Sequence, residues 1–582
     1  MHRGSFASIA VLAQAAGSLA KSVNYDWNIT WVIASPDGFT RPVIGINDAW
    51  PCPLVEANVG DIVTINVNNK LGNETTGLHF HGINQISTNN MDGAVGVNQC
   101  PLPPDYKVQY LFYADAPGTY WYHSHSMGQY PDGLRGPLII HDPQDPYQDQ
   151  YDEEVILTMS DWYRDQTPPL IQAMIDPNNT NFAPPIPNST IVNDGADSHI
   201  NVEPGKTYRL RLINWSAMFS TFIQFDALDM TVIMIDSSYV KNQTVQNLRI
   251  SAAQRSDVLI TIPSDADRNF PYLVAMDLNQ DFADPDPPRP IQFPFNVTGQ
   301  LVTDAEKSTD GNLTVQKFEP YDDVTFSPHD DEAALGPVTK RWLLNFAYCH
   351  DVNGYPRACF NESTYIAQKV PALYSAASLG DNNTRPDAYG PIGAFVVEYG
   401  EILEIVVNNN NEAIHPFHLH GHQFQVLARP GSNAGNWSED VELNALPPRR
   451  DTVAVNPKSY AVFRIKADNP GVFLFHCHVE WHVELGLTAT LIEAPDRLVN
   501  YTIPQDHMDA CDALGIPTTG NAAGNVDWDN TDGFVTVPPT VYIGSLYGEA
   551  AEAAANATNT TSTTSTTSTA STTSITSTTE TT

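Results

Sequence analysis

Short runs of alternating or β-branched apolar residues dominate the chain, and turn residues separate them. A typical run extends from Ile62 to Val67, where apolar and polar positions alternate. A period of two places the apolar side chains on one face of a strand. Frequent Pro, Gly, Asn and Asp residues interrupt these runs, and helical periodicity is scarce. The pattern predicts an all-β protein made of sandwiches or barrels.

A degenerate repeat runs through the chain. In the first copy Gly60-Asp61 precedes the apolar run, and in a later copy Gly400-Glu401 precedes a similar run from Ile402 to Val407. A middle copy begins at Val202 and continues to Ile213. The repeat therefore predicts three consecutive β-domains.

Changes in composition give the expected boundaries. His2 and Arg3 precede an apolar run that is too short to span a bilayer, which is typical of a secretory signal peptide. From about Ala550 the chain is almost entirely Ala, Asn, Ser and Thr, which cannot bury a core. We predict a signal peptide (1–20), a first β-domain (21–148), a second (149–302), a linker (303–338), a third β-domain (339–510), a C-terminal segment (511–549) and a disordered, O-glycosylated tail (550–582).

The net charge of −38 argues against nucleic acid and anionic membranes as partners. After the N-terminal run, no apolar stretch approaches transmembrane length. Sequons such as Asn28-Ile-Thr and Asn361-Glu-Ser recur, and with the leader they predict a secreted glycoprotein, extracellular or associated with the cell wall. We expect it to be a monomer.

Six cysteines allow two disulfide bonds if Cys477 is reserved for chemistry. Cys349 and Cys359 are close enough in sequence to close a local loop, and Cys100 could pair with Cys511. The remaining cysteine, at position 52, would then be a buried free thiol.

Four His-x-His pairs and one cysteine supply the candidate chemistry. The pairs are His79/His81, His123/His125, His418/His420 and His476/His478, with Cys477 inside the last pair. Side chains at i and i+2 of a strand share a face, so each pair presents two imidazoles to one side. The cysteine then points to the opposite side. One strand can thus serve a thiolate-bound copper on one face and an imidazole-only copper cluster on the other.

A thiolate copper needs two further nitrogen ligands. His482 follows Cys477 by five residues, and His415 precedes the third pair in a His-Pro-Phe-His-Leu-His stretch. The remaining eight imidazoles suffice for about three coppers with positions open for oxygen. We expect structural roles for the other histidines, which are His2, His141, His199, His329, His350, His422 and His507.

These motifs resemble those of the multicopper oxidases over residues 24 to 510. The matching motifs are His79-Phe-His-Gly82, Trp121-Tyr-His-Ser-His125, His415-Pro-Phe-His-Leu-His-Gly421 and His476-Cys-His-Val-Glu-Trp-His482. Local similarity to fungal laccases and, more closely, to fungal iron-uptake ferroxidases is carried by Met91-Asp-Gly93, Asn98-Gln-Cys-Pro101 and Arg449-Arg-Asp451. The resemblance implies that the three domains are cupredoxin-like Greek-key β-sandwiches.

The resemblance also implies four copper ions. The type 1 copper, which accepts electrons from the substrate, would have the ligands His415, Cys477 and His482. The type 2 copper would have His79 and His418. The two type 3 coppers would have the ligand sets His81, His123, His478 and His125, His420, His476. Leu487 would occupy the axial position of the type 1 copper without binding it, which in this family goes with a higher reduction potential than an axial Met.

Reduction of O2 to water also consumes protons. Asp92 and Glu480 match carboxylates that the family places beside the trinuclear site to relay them. A plain salt bridge is the alternative role for each.

The electron donor depends on the residues near His482. Ferroxidases bind Fe(II) through carboxylates, because a hard cation favours oxygen ligands. At two matching positions this chain has Pro184 and Asn411 instead, while Asp281 or Asp284 could replace a third acid.

Laccases instead place a carboxylate where it accepts the phenolic proton, and Asp226 resembles that position. The sequence thus favours a secreted laccase that oxidises phenolic small molecules with O2 as acceptor, with a role in coupling a pigment or polyketide phenol by analogy. The alternatives are a ferroxidase that oxidises Fe(II) for iron uptake and a non-catalytic copper-binding wall protein.

Overall fold

The computed structural model describes residues 20–541, except residues 73, 196–197, 279–294, 310–312 and 314–319. The predicted disordered tail, most of the predicted signal peptide, and Asp281 and Asp284 lie outside the described residues.

The first domain contains two four-stranded sheets. Its strands, β1 to β8, are Ser22–Ala34, Arg41–Ile46, Val55–Asn58, Ile62–Asn69, Leu78–His81, Lys107–Tyr113, Gly118–Ser124 and Arg135–His141. The strand orders are β2-β1-β4-β6 and β3-β8-β7-β5. The alternating residues Val63, Ile65 and Val67 of β4 are buried in the core of this domain.

The second domain contains a six-stranded and a five-stranded sheet. Its strands, β9 to β19, are Glu153–Trp162, Ser189–Val192, His199–Asn201, Thr207–Asn214, Thr221–Phe225, Met230–Ile235, Ser238–Val245, Asn247–Ile250, Arg255–Thr261, Phe270–Met276 and Asn296–Val302. The orders are β10-β9-β12-β17-β14-β15 and β11-β19-β18-β13-β16. Helix α1, Thr167–Met174, follows β9.

The third domain has the same division into six and five strands. Its strands, β20 to β30, are Lys340–His350, Pro356–Phe360, Ala394–Val397, Ile402–Asn409, His415–Leu419, Phe424–Ala428, Arg449–Arg450, Thr452–Val455, Ser459–Lys466, Gly471–Cys477 and Thr488–Glu493. The orders are β21-β20-β23-β28-β25-β26 and β22-β30-β29-β24-β27. Helices α2 to α4 are Ala372–Ser378, Glu480–Glu484 and Gln505–Ala513. Short 3-10 helices lie at Asn89–Met91, Gln148–Gln150, Asp323–Thr325, Gly380–Thr384, Pro386–Tyr389 and Pro495–Arg497.

The sequence repeat corresponds to one shared topology. The eight-residue strands β4, β12 and β23 pair in parallel with β1, β9 and β20, and antiparallel with β6, β17 and β28. In each domain an asparagine with a positive φ angle accepts the backbone N–H of the parallel partner strand, namely Asn47, Asn193 and Asn361. The predicted all-β fold of three cupredoxin-like sandwiches is therefore confirmed.

Both predicted disulfide bonds are present. Cys349–Cys359 joins β20 to β21, and Cys100–Cys511 joins the first domain to α4 across a sequence separation of 411 residues. The thiol of Cys52 is buried and unpaired with another cysteine, as predicted. Among the described residues, no helix combines the length and the apolar character needed to cross a membrane.

We expect the double replacement of Cys100 and Cys511 by alanine to lower the free energy of unfolding by about 5 kcal/mol, because the bond closes a very long loop in the unfolded chain. The matched control is the same change at Cys349 and Cys359, whose short loop should account for about 3 kcal/mol. Denaturant unfolding of both variants measures the difference. A larger loss for the local pair would contradict the expectation.

Candidate metal centres

Strands from two domains bring the predicted metal ligands together. In the first domain His79 on β5 lies opposite His123 on β7 in an antiparallel pair. In the third domain His418 on β24 lies opposite His476 on β29 in the same way. Each His-x-His pair thus lies beside a second one on the neighbouring strand.

The two sets of imidazoles face each other across the interface between the first and third domains. The ring pairs that cross it include His79–His420 and His81–His418, with centroid separations of 4.0 and 3.9 Å, and His123–His478 and His125–His476, both at 5.4 Å. The eight imidazoles form one cluster between the domains.

Potential ligand atoms converge within this cluster. Three groups of imidazole nitrogens lie within 4.8 Å of one another, and they are His79/His81/His418, His81/His123/His478 and His125/His420/His476. The last two groups have the same members as the two sets expected for type 3 copper. The first contains both residues expected at type 2 copper. The structure thus brings these predicted ligands together, and the assignment of each to a particular ion stays a prediction.

Hydrogen bonds outside the cluster fix which ring nitrogen faces inward. Nδ1 of His79 donates to the backbone carbonyl of Asp92 at 2.7 Å, and Nδ1 of His418 donates to that of Asp451 at 2.8 Å. A neutral imidazole carries one N–H, so its Nε2 keeps a lone pair. In the described structure the Nε2 atoms of both histidines are buried without a hydrogen-bond partner. A bound metal would satisfy them.

His420 and His476 also have inward-facing Nε2 atoms that carry no hydrogen. Nδ1 of His420 donates to the Asp92 carboxylate at 2.8 Å, and Nδ1 of His476 donates to the Cys477 carbonyl at 2.9 Å. Their Nε2 atoms then face each other at 3.1 Å, although neither has a hydrogen to donate. Two lone pairs at this distance repel unless a cation lies near both. The donor set therefore fits copper, for which imidazole is a suitable ligand.

Burial favours the neutral form of imidazoles in this cluster. Desolvation lowers the pKa of His420 and His476 to about 3. Burial also lowers the pKa well below its ordinary value for His81, His123, His125, His418 and His478. Neutral rings can bind a metal without first releasing a proton.

The first and third domains each supply an aspartate carboxylate that accepts a hydrogen bond from a histidine of the other domain. The Asp92 carboxylate accepts from His420, and the Asp451 carboxylate accepts from Nε2 of His81 at 3.2 Å. Asp451 is thus the counterpart of Asp92 in the third domain. In the sequence Asp451 belongs only to the local motif Arg449-Arg-Asp451, and its spacing from His418 differs from that of Asp92 from His79.

Arg255 of the second domain links Asp451 of the third domain to Thr119 of the first. Its Nη1 and Nη2 atoms donate to the two carboxylate oxygens of Asp451 at 2.8 and 2.6 Å, and its Nε donates to the Thr119 carbonyl at 2.8 Å. The side chain is fully buried. Since Arg255 belongs to the second domain, that domain helps to hold the cluster although it carries no His-x-His pair. No motif in the sequence indicated this role.

A second site lies on the opposite face of β29. Sγ of Cys477 is 3.5 Å from Nδ1 of His482 and 3.7 Å from Nδ1 of His415, and the two Nδ1 atoms are 3.2 Å apart. The Cys477 N–H donates to the carbonyl of Leu487 at 3.1 Å, and the Leu487 side chain is buried in the same core cluster as the thiol. Burial lowers the pKa of His482 to about 3. A soft thiolate with two neutral imidazoles suits a copper that transfers electrons.

Neutral groups cover the outer edges of these two histidines. Nε2 of His482 lies 2.8 Å from the Tyr348 hydroxyl, and Nε2 of His415 lies 3.1 Å from Oδ1 of Asn411. The Phe182 ring stacks on Tyr348 with a centroid separation of 4.7 Å. Tyr348 was not predicted, because a single tyrosine in a strand carries no motif.

Glu480 lies where the sequence analysis placed it. It lines a cavity of about 270 Å³ together with imidazoles of the cluster, including His125 and His476. Burial, with Glu484 close by, raises the pKa of Glu480 well above its usual value. The carboxyl group therefore lines the same cavity as imidazoles of the cluster, and its part in proton delivery stays a prediction.

The chain is similar to known multicopper oxidases over most of its length. Three family models, each described as multicopper oxidase, match residues 28–145, 153–287 and 365–497. The iron transport multicopper oxidase fetC of Epichloe festucae is 46% identical over 514 residues, which cover 87% of this chain and 82% of the relative. The iron transport multicopper oxidase FET3 of Gibberella zeae is 43% identical over 516 residues, with coverage of 87% and 82%. The crystal structure of Fet3p, a multicopper oxidase that functions in iron import, is 34% identical with a TM-score of 0.83, and the match covers 89% of this chain and 98% of that one.

These relatives are named for iron transport or iron import, so the prediction of a phenol-oxidising laccase is wrong. The predicted role in coupling a pigment phenol depended on that activity and is wrong as well. That prediction gave too much weight to single positions, namely Pro184 and Asn411. It also relied on Asp226 as the acceptor of a phenolic proton. The structure places Asp226 in a salt bridge with Arg268 at 2.6 Å, whereas Tyr348 occupies the outer edge of His482.

Replacing Cys477 by serine should remove the blue thiolate-to-copper absorption, lower the copper content by one ion per molecule and reduce oxidase activity to background. The reason is that a hydroxyl does not replace a soft thiolate ligand. Metal analysis and visible spectroscopy measure these changes. Cys52→Ser is the matched control, since that buried thiol lies away from the cluster, and it should keep colour and activity. Blue absorption that persists in Cys477→Ser would exclude the thiolate site.

Replacing Asp92 by alanine should weaken copper retention or activity by roughly 10 to 100-fold, because His420 loses the acceptor that orients it. The Asp92→Asn variant separates two roles of the carboxylate. An amide oxygen still accepts from His420, so copper should be retained, but an amide does not carry a proton, so O2 reduction should slow. Copper analysis and oxygen uptake test this, and equal copper loss in both variants would show that orientation is not the role.

Proposed function

Because the chain belongs to the multicopper oxidases, we propose that it is a ferroxidase, which oxidises Fe(II) to Fe(III) and uses O2 as the electron acceptor. The observation that carries the proposal is the identity of 46% and 43% with relatives named iron transport multicopper oxidases. Four Fe(II) ions supply four electrons, and with four protons one O2 becomes two water molecules. The identity with relatives named as oxidases also argues against the alternative of a non-catalytic copper-binding protein.

The donor set supports four copper ions, one at Cys477 and three among the eight clustered imidazoles. Copper bound there supplies one-electron transfer at the first centre and O2 binding at the second. The protein supplies the connection between them. Cys477, the last residue of β29, is covalently bonded to His476 on that strand and to His478 directly after it, so the backbone of three residues links the two centres.

Proton delivery would use carboxylates already beside the cluster. Asp92 contacts His420 directly, and Glu480 lines the cavity that reaches the imidazoles. We propose that these two groups pass protons to the site of O2 reduction, which needs one proton for each electron. Asp451, held by Arg255, would instead orient His81.

Iron would deliver its electron at the outer edge of His482 and His415. The oxygen atoms next to these rings belong to Tyr348 and Asn411, which are neutral. Since Fe(II) prefers anionic oxygen ligands, we expect it to bind weakly here. The predicted signal peptide, the sequons and the two disulfide bonds support a proposed location outside the cell.

Steady-state oxygen uptake with Fe(II) and with a simple diphenol as alternative donors tests the proposal. We expect a higher kcat/KM for Fe(II). The Asn411→Asp variant should lower the KM for Fe(II) several-fold and leave the KM for the diphenol nearly unchanged, because a carboxylate attracts the cation and not the neutral phenol.

The control is Glu412→Gln, which changes the charge by one unit in the opposite direction at the next residue, where the carboxylate pairs with Lys458 on the surface. It should leave both KM values close to those of the unaltered enzyme. A diphenol that proves the far better donor, with no response of Fe(II) oxidation to Asn411→Asp, would overturn the proposed function.

A further inference from the structure

Trp121 lies against the imidazole cluster. Its ring stacks on His123 with a centroid separation of 4.2 Å, and lies 5.2 Å from His81 and 5.5 Å from His478. The side chain is fully buried. Trp121 therefore contacts three rings that are expected to bind type 3 copper, and tryptophan is among the most easily oxidised side chains.

Three further tryptophans continue from Trp121 toward the surface. The Trp215 ring lies 6.3 Å from Trp121, and the Trp162 ring lies 5.4 Å from Trp50. Arg135 bridges the middle of this row, since its guanidinium carbon is 5.4 Å from the Trp215 centroid and 5.9 Å from that of Trp162. We call Trp121, Trp215, Trp162 and Trp50 the tryptophan row.

The row changes from buried to accessible along its length. The first three rings are at most 3% exposed, whereas Trp50 is half-buried. The indole N–H of Trp50 donates to the Gly133 carbonyl at 3.0 Å. The row therefore begins at the cluster and ends at a side chain that solvent can reach.

Two arginines contact the row, and a bare positive charge would oppose oxidation of a neighbouring indole. Each is paired with a buried carboxylate. Arg135 donates to Asp194 at 3.0 Å, and Arg41, which lies over Trp162, donates to Asp132 at 2.9 Å. These pairs largely cancel the local charge, so the indoles remain oxidisable.

We propose that the tryptophan row is a protective path that carries oxidising equivalents from the copper cluster to the protein surface. It acts when O2 meets the cluster before all four electrons have arrived from the donor. The missing electron is then taken from Trp121. Trp215 then reduces Trp121, Trp162 reduces Trp215, and Trp50 reduces Trp162. The electron deficit therefore ends on Trp50.

A reductant from solution returns Trp50 to its original state. The oxidised Trp50 releases its indole proton to water and becomes a neutral radical. A one-electron reductant such as ascorbate then returns one electron and one proton to Trp50. In sum, the cluster gains one electron, and ascorbate loses one. This path is independent of which donor feeds the type 1 centre, so it does not rest on Fe(II) as substrate.

The test uses copper-loaded enzyme that is reduced with too few electrons for all its copper, and then exposed to O2 in repeated cycles without ascorbate. Peptide mass spectrometry locates oxidised tryptophan. In the unaltered protein we expect oxidation mainly at Trp50. In Trp162→Phe, whose phenyl ring is hard to oxidise, oxidation at Trp50 should fall several-fold and appear at Trp121 or Trp215 instead.

Trp27→Phe is the matched control, because Trp27 is also buried, at 3% exposure, and packs on Tyr122 outside the row. It should show the unaltered pattern. Added ascorbate should protect Trp50 in the unaltered protein but not the inner rings of Trp162→Phe. If Trp162→Phe does not fold, Trp50→Phe serves, and oxidation should then stop at Trp162.

Three results would overturn the proposal. One is equal oxidation of Trp50 in the unaltered protein and in Trp162→Phe. Another is tryptophan oxidation of the same extent in copper-free protein. The third is the absence of oxidised tryptophan from the row after repeated cycles, which would leave these rings with a packing role alone.

Discussion

The copper chemistry depends on neutral, largely buried imidazoles and one buried cysteine whose donor atoms are aimed at shared points. A buried ring nitrogen without a partner is costly, so a metal that takes the inward lone pairs stabilises the arrangement. The outward N–H groups are satisfied by carbonyls and carboxylates such as those of Asp92 and Asp451. In the rings that donate to these acceptors, the hydrogen bond determines which nitrogen faces the metal site. The close approach of His420 Nε2 to His476 Nε2 is the clearest sign that the sites are built for a cation.

Two features of the fold meet this requirement. Alternation along β29 sends Cys477 to one face and its neighbouring histidines to the other, so one strand serves both centres. Repetition of the domain places matching strand pairs on either side of one interface. The second domain carries no His-x-His pair, yet its Arg255 holds Asp451 and contacts Thr119 of the first domain. All three domains therefore contribute to one cluster.

The fold and the clustering of the candidate ligands could be predicted from the sequence because both follow from local periodicity. Strand alternation, the repeat and the His-x-His spacing are visible in one chain. Asp451, Arg255 and Tyr348 were missed because their roles depend on contacts between residues far apart in sequence. The substrate was predicted wrongly for the same reason, since the place of Asp226 beside Arg268 is set by the folded turn and not by its neighbours in sequence.

The most direct test of the two-centre arrangement is a crystal structure of the copper-loaded protein with anomalous scattering measured at the copper absorption edge. The account predicts one anomalous peak among Cys477, His415 and His482, and three peaks among the eight imidazoles between the first and third domains. Copper at only one of these places, or peaks outside both, would contradict it.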